Sequence, residues 1–286
     1  MALPPILLVL CFVGLPVVVA FLFTLGFTGG LNEIIALVGQ NVHKADHWWG
    51  TLAAWADVFG NPQFLTNLFV TILVTVISTG IVLMMALGIG LYLRLRGGWL
   101  ANLLAGLAVV PLFIPVVIAA WAILTFYSAD GFIRSVFAQV GLEGPIWGYT
   151  VVAIVIGSVW TSLPFAVLMV TSGLQSIPDA IIEAARDAGA GVFRTVFSIL
   201  IPMAFIPIVI AGTFTAIGVI GSFTVPYFTG PNAPTMLGVM LTNYFTSFNE
   251  PQQSIVMAFS VFVAASAIGF YYVWANFRSA KDQGRV

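Results

Sequence analysis

Asp179, Glu183, Arg186 and Asp187 put three carboxylates and a guanidinium into one short, alanine-rich stretch. Ser176 followed three residues later by Asp179 resembles a capping box. Pro178 suits a first helical turn. Ala180 to Ala188 is strong helix-forming sequence, and Gly189 suits the left-handed residue that ends a helix. A second short helix is predicted from Val192 to about Leu200, stopping at Pro202. The first helix carries charge on part of its surface, and its small Ala side chains would let it lie in a groove. That chemistry is docking, not catalysis. An amphipathic connector on a membrane surface would read the same way, and the residues alone leave both open.

Other chemistry-bearing residues are few. His43 and His47 are four apart and could share a helix face as metal ligands, but no third ligand is evident. They read as surface histidines. Cys11 is the single cysteine and reads as a packing residue, so no internal disulfide or thiolate cluster is possible. The chain has no H-E-x-x-H, no nucleophile elbow and no phosphate-binding G-x-x-x-x-G-K-[ST] loop.

The elements that position these residues follow from composition. Of 286 residues, 60% are hydrophobic and 7% charged; an ordinary soluble domain carries about 25% charge. Mean hydropathy is +1.10. The apolar side chains must face lipid, which excludes a cytosolic enzyme, a secreted domain and a disordered chain. Nine scattered Lys and Arg supply no basic face for nucleic acid. The chain reads as all-α, a single polytopic membrane domain over 1–286. Its six predicted spans are 5–27, 65–93, 100–127, 149–174, 203–228 and 254–277.

Arg94, Arg96, Arg186, Arg194, Arg278, Lys281 and Arg285 fall on one side of this arrangement, and only Lys44 and Arg134 on the other. The positive-inside rule then places both termini in the cytoplasm. The outer loops hold Glu33, Asp46, Asp57, Asp130, Glu143 and Glu250, with Trp48, Trp49, Trp55, Trp147 and Tyr149 at helix ends.

No ionisable side chain lies well inside a span, which speaks against an ion-coupled carrier or channel, the alternative function considered. Pro16, Pro111, Pro115, Pro164, Pro207 and Pro226 break the apolar runs. Gly212, Gly218, Gly221 and Ser222 bring small residues into the fifth span, where they favour close helix approach. Either tight bundle packing or a bent, gated pathway accounts for this pattern. Trp121 and Thr125, Trp160, Thr161 and Ser162, and Thr213, Thr215, Ser222 and Thr224 are the uncharged polar candidates for such a pathway. Each equally suits helix packing, because hydroxyls bond back to their own helix.

The loop 176–202 resembles the signature loop of the inner-membrane permeases of binding-protein-dependent ABC importers. That pattern is E-A-A, three residues, G, nine residues, I-x-L-P; here it is Glu183-Ala184-Ala185, Gly189 and Ile199-Leu200-Ile201-Pro202. The one departure is Ile201 for Leu. The six-span layout also resembles the family's type I fold.

The resemblance implies a cytoplasmic coupling helix. Glu183 and Gly189 are its principal positions, and Ala184, Ala185, Arg186 and Asp187 form the rest of its docking face. It further implies two ATP-binding cassette subunits, a second and different permease subunit, and a substrate-binding protein outside the membrane. ATP and Mg would be held by the ATP-binding partners, so the chain needs no cofactor and is not itself an enzyme. It would reside in a bacterial inner membrane. The segment from Glu183 to Gly212, with Gly221 to Pro226 and the outer Gly230-Pro231, looks most like permeases for polyamines. This ranks polyamine-like cargo first and sugars second.

Overall fold

The structure is a computed structural model that describes residues 3–282. Arg285, assigned above to the basic tail, lies outside the described residues. Every regular element is helical: α1 (Leu3–Thr24), α2 (Glu33–Val38), α3 (Ala53–Gly60), α4 (Pro62–Leu95), α5 (Gly98–Phe113), α6 (Val116–Tyr127), α7 (Phe132–Gln139), α8 (Val151–Gln175), α9 (Asp179–Asp187), α10 (Val192–Met203), α11 (Phe205–Ile220), α12 (Thr224–Thr229), α13 (Leu237–Thr246) and α14 (Pro251–Asp282). Among the described residues, five helical spans are long and apolar enough to cross a membrane, with α6 and α7 (Val116–Gln139) counted together. They number six when α10 and α11, bent by 70° at Ala204, count as one span.

The stretch 100–127, read above as one helix, is two. Val110–Phe113 tightens into a 3-10 turn, Ile114 is extended at φ −105°, and α6 starts after Pro115. Pro115 has no N–H to donate and disfavours helical backbone at Ile114. The stretch 203–228 is likewise interrupted, at Gly221–Phe223, after which Pro226 sits in the first turn of the short α12. The second helix of the loop does not stop at Pro202 but runs to Met203. Within it, Val196–Leu200 forms a wide π turn in which Ile201 N–H bonds Val196 O. The same device occurs in α1, where Leu10–Gly14 is a π turn closed by Leu15 N–H on Leu10 O, just before Pro16. Both wide turns lie where a proline withholds the next backbone donor.

The chain divides into two compact units: Met1–Thr71 with Ala233–Ala264, and Ile72–Asn232 with Ala265–Val286. In the first, Ala54, Val58 and Phe64 pack with Leu237, Met240, Val256 and Met257. Buried amides and hydroxyls specify this packing. Asn67 Oδ1 accepts from Thr235 N at 3.1 Å and Thr71 Oγ1 from Leu237 N at 2.9 Å, satisfying donors at the start of α13 that no helix carbonyl can reach.

Gln252, fully buried, donates to Phe23 O (2.8 Å) and His43 O (3.0 Å) and accepts from His43 N (2.7 Å). It thereby staples the segment before α3 to the end of α1. Gln252→Leu should strand three backbone groups and destabilise the protein by about 2–4 kcal/mol. Faster limited proteolysis between α2 and α3 would report that loss.

In the second unit, α8 is the central element. Its Leu163, Val167, Val170 and Leu174 pack with Val82 and Ala86 of α4, Ala108 of α5, and Leu200, Ala204 and Ala211 of α10 and α11. The close approaches are not at the glycines of the fifth span. A Cβ on Gly218 would meet nothing within 4 Å, and one on Gly212 would lie 3.1 Å from Leu83 Cδ1. They occur instead along α8, where a Cβ on Gly173 would stand 2.4 Å from Pro207 Cγ and one on Gly157 2.6 Å from Val225 Cγ1.

Candidate functional site

The loop 176–202 folds as two helices joined by a tight turn. Its start differs from a capping box. Ser176 Oγ donates backward to Gly173 O (2.8 Å), so it closes α8, and no side chain caps α9 after the extended Pro178. The end is as the sequence predicts. Gly189 has φ +76°, its N–H bonds Arg186 O (2.9 Å), and Ala190 N–H bonds Ala185 O (2.9 Å). This paired geometry is a Schellman cap, which requires a left-handed residue at Gly189.

Apolar residues anchor the segment. Ile177 and Ile182, 4% and 5% exposed, enter the core around α8, and Ile181 packs against it. That fixes which surface is left over. Glu183, Ala184, Arg186, Asp187 and Gly189 are exposed, and Ala185 is half-buried. Among the described residues, no hydrogen bond or ion pair engages the side chains of Glu183, Arg186 or Asp187. The helix therefore presents charged groups with unused bonding capacity beside small Ala side chains. On α10 the exposed Phe193 and Phe197 rings lie 4.4 Å apart, an apolar neighbour that the sequence reading did not single out.

Arg94, used above only to orient the chain, belongs to this site. It extends from the last turn of α4, and its side chain is 13% exposed. Nε donates to Leu174 O (3.1 Å) and Nη2 to Ile177 O (2.6 Å), satisfying carbonyls at the end of α8. Nη1 meets Asp179 Oδ1 at 2.6 Å, at the start of α9. Cations favour a helix C-terminus and anions an N-terminus, so one guanidinium serves both ends of this joint. The link spans more than eighty residues of sequence, which is why inspection of the loop alone misses it.

The pathway candidates lie on α6, α8 and α11, with Ser222 in the break before α12 and Thr224 at its start. Trp160 lines a cavity of about 630 Å³ with Ile81, Met85, Ile118, Ala122 and Phe126, nearly all apolar. Trp121 is exposed on α6, its ring 6.1 Å from Phe228 of α12. Thr161 donates to the carbonyls of Gly157 (3.0 Å) and Ser158 (3.1 Å) in its own helix. Thr125 does the same to Trp121 O at 2.9 Å. Ser162 is half-buried, Thr213 is buried on α11, and Ser222 lies half-buried in the break before α12. Thr215 and Ser158 keep buried hydroxyls without a partner. His43 Nε2 pairs with Asp57 Oδ2, and His47 stacks on Trp49 at 4.4 Å. Among the described residues, no three His, Cys, Asp or Glu side chains are placed to hold a metal.

Comparison with known proteins follows this geometry. Residues 84–279 match the family described as binding-protein-dependent transport system inner membrane component. The chain is similar to the sulfoquinovosyl glycerol transport system permease protein of Agrobacterium fabrum, 28% identical over 77% of this chain and 74% of that protein. It is also similar to the spermidine/putrescine transport system permease protein of Haemophilus influenzae, 28% identical over 59% of this chain and 60% of that one. Its fold is similar to that of a bacterial ABC transporter involved in the import of the acidic polysaccharide alginate. That likeness has a TM-score of 0.75 at 16% identity and covers 98% of this chain and 94% of the other.

Proposed function

The chain belongs to the binding-protein-dependent inner membrane components of ABC importers, and from that premise we propose how it couples ATP hydrolysis to solute entry. It is a multi-pass inner-membrane permease subunit for a solute that a binding protein delivers. In our reading residues 1–286 act as one transmembrane domain, with both termini in the cytoplasm. The segment 176–202 docks on an ATP-binding subunit, two of which serve a pair of different permeases.

The observation that carries this reading is the α9 surface. Glu183, Arg186 and Asp187 are held rigid by the buried Ile182 yet bond to nothing among the described residues of the chain. Closure of the ATP-binding partners displaces α9. The displacement passes to α8 and α11, which are packed together at Gly173 and Pro207. The loaded binding protein favours the same state, so the inward/outward equilibrium shifts with the nucleotide cycle. ATP and Mg belong to the partner subunits, and this chain supplies no catalytic group.

For cargo we place sugars or sugar derivatives ahead of polyamines, reversing the order that the loop sequence alone gave. The uncharged polar candidates, Thr161, Ser162, Thr213, Ser222, Trp121 and Trp160, carry no negative charge that would favour a polycation. The Agrobacterium fabrum permease is also as similar as the polyamine permease over a larger share of the chain.

Glu183→Arg tests the docking role. The residue is exposed, so the fold should be unaffected, while a reversed charge at the contact should cut uptake and partner recovery at least about ten-fold. Uptake and co-purification of the ATP-binding subunit at unaltered levels would refute the docking assignment. Uptake of a labelled disaccharide against labelled putrescine, with the co-encoded binding protein present, separates the two cargo classes.

A further inference from the structure

A polar cavity in the first unit plays no part in the coupling site. It measures about 370 Å³ and is lined by His43, Asp57, Asn61, Tyr244, Glu250 and Gln253, with Asn41 at its rim. Each of its amide groups, and the His43 ring, already has one partner. Asn41 Nδ2 donates to Glu250 Oε1 (2.7 Å), Asn61 Nδ2 to Tyr244 Oη (3.0 Å) and Gln253 Nε2 to Asn41 O (2.7 Å). His43 Nε2 is engaged with Asp57 Oδ2.

What remains is rich in acceptors. Gln253 is 4% exposed, and its Oε1 is buried with no partner. Its amide cannot be turned round, because Asn41 O only accepts and so must face the NH2 group. Among the described residues, the second oxygens of the Asp57 and Glu250 carboxylates make no hydrogen bond or ion pair. Tyr244 adds no further negative charge. Burial, and then the nearby Glu250 charge, raise its pKa above the usual phenol value, partly offset by the Asn61 hydrogen bond.

We propose that this cavity binds a primary alkylammonium group. Such a group offers three donors and no acceptor, which complements two carboxylates and an orphaned amide oxygen. A neutral hydroxyl would bring no charge to either carboxylate. Two sources carry this chemistry: a free amine solute and the ethanolamine headgroup of a phospholipid. The inference stands apart from the coupling assignment and from the choice of cargo.

The test uses the full chain in phosphatidylcholine nanodiscs, titrated calorimetrically with n-butylammonium chloride and, separately, with n-butanol. The amine should give saturable heat and the alcohol none. The double variant Asp57→Asn, Glu250→Gln keeps an oxygen for His43 and for Asn41, so it should fold, and it should bind the amine at least about ten-fold more weakly. Equal binding of the alcohol, no amine binding, or an unchanged double variant would each overturn the proposal. Repeating the titration in phosphatidylethanolamine nanodiscs separates the sources. Loss of the butylammonium heat there identifies the lipid headgroup, and undiminished heat identifies a free amine.

Discussion

Arg94→Ala is expected to lower uptake at least about ten-fold while leaving ATP hydrolysis by the assembled complex running, no longer stimulated by loaded binding protein. The guanidinium makes two bonds to main-chain carbonyls, Leu174 O and Ile177 O, with its side chain 13% exposed. Charge-assisted bonds of this kind contribute about 1.5–3 kcal/mol each. The third contact is weaker in energy. Asp179 is 76% exposed, so its ion pair is worth about 0–1 kcal/mol. Loss of all three should cost roughly 3–7 kcal/mol locally. Under the docking role proposed for α9, more of the effect should appear in transport than in the fold, because the joint between α8 and α9 would flex.

Arg94→Lys should rescue little. One ammonium on a flexible stem cannot match a planar fork that meets two carbonyls and a carboxylate together. Asp179→Asn should be mild. Comparing transport with ATP turnover for the three variants, in one reconstituted preparation, separates a joint that transmits force from one that only stabilises. Equal losses of transport and ATP turnover in Arg94→Ala would point to stabilisation alone.

The second large effect is at Gly173. A Cβ there would stand 2.4 Å from Pro207 Cγ and 2.5 Å from Pro207 Cβ. Those atoms belong to a rigid ring and cannot swing aside, so α8 and α11 must separate. Gly173→Ala should destabilise by about 1–3 kcal/mol and Gly173→Leu by more, enough to prevent recovery of folded protein. Gly218→Ala is the control. Nothing lies within 4 Å of its added Cβ, and alanine restricts the unfolded chain, so stability should hold or rise by up to about 1 kcal/mol. Thermal melting in detergent would rank the two alanine variants, and the yield of folded protein would report on Gly173→Leu.

The contrast between these glycines shows what sequence could and could not supply. Composition and run length made an all-helical membrane chain legible, because lipid imposes that solution on any long apolar run. The two helices of the loop and the left-handed Gly189 were legible because helix ends carry local chemistry. Breaks inside apolar runs were less so. Pro115 ends one helix and begins another, whereas Pro164 sits inside α8 without interrupting it.

Long-range partners were hidden for a different reason. Gln252 and Gln253 stand at the head of an apolar run, and the sequence analysis assigns them no role, yet both are buried. Two adjacent amides there were the available signal. Arg94 gave none beyond its charge, because its partners are main-chain carbonyls that carry no residue identity.

The π turn at Val196–Leu200 bears on how many residues this segment tolerates. A π turn holds one residue more than the α turn it replaces. Removing one residue from the nine between Gly189 and Ile199 would let the helix revert to plain α geometry, with no polar group lost. Residues after the deletion would then keep nearly their present phase about the axis, because the wide turn already absorbs the extra residue. Leu200 would stay in the core and Pro202 would still stand where the 70° bend begins. The wide turn thus acts as a phase adjuster: one deletion inside it is absorbed, whereas a further insertion, or a deletion outside it, would rotate the end of the helix by about 100° against the span that follows.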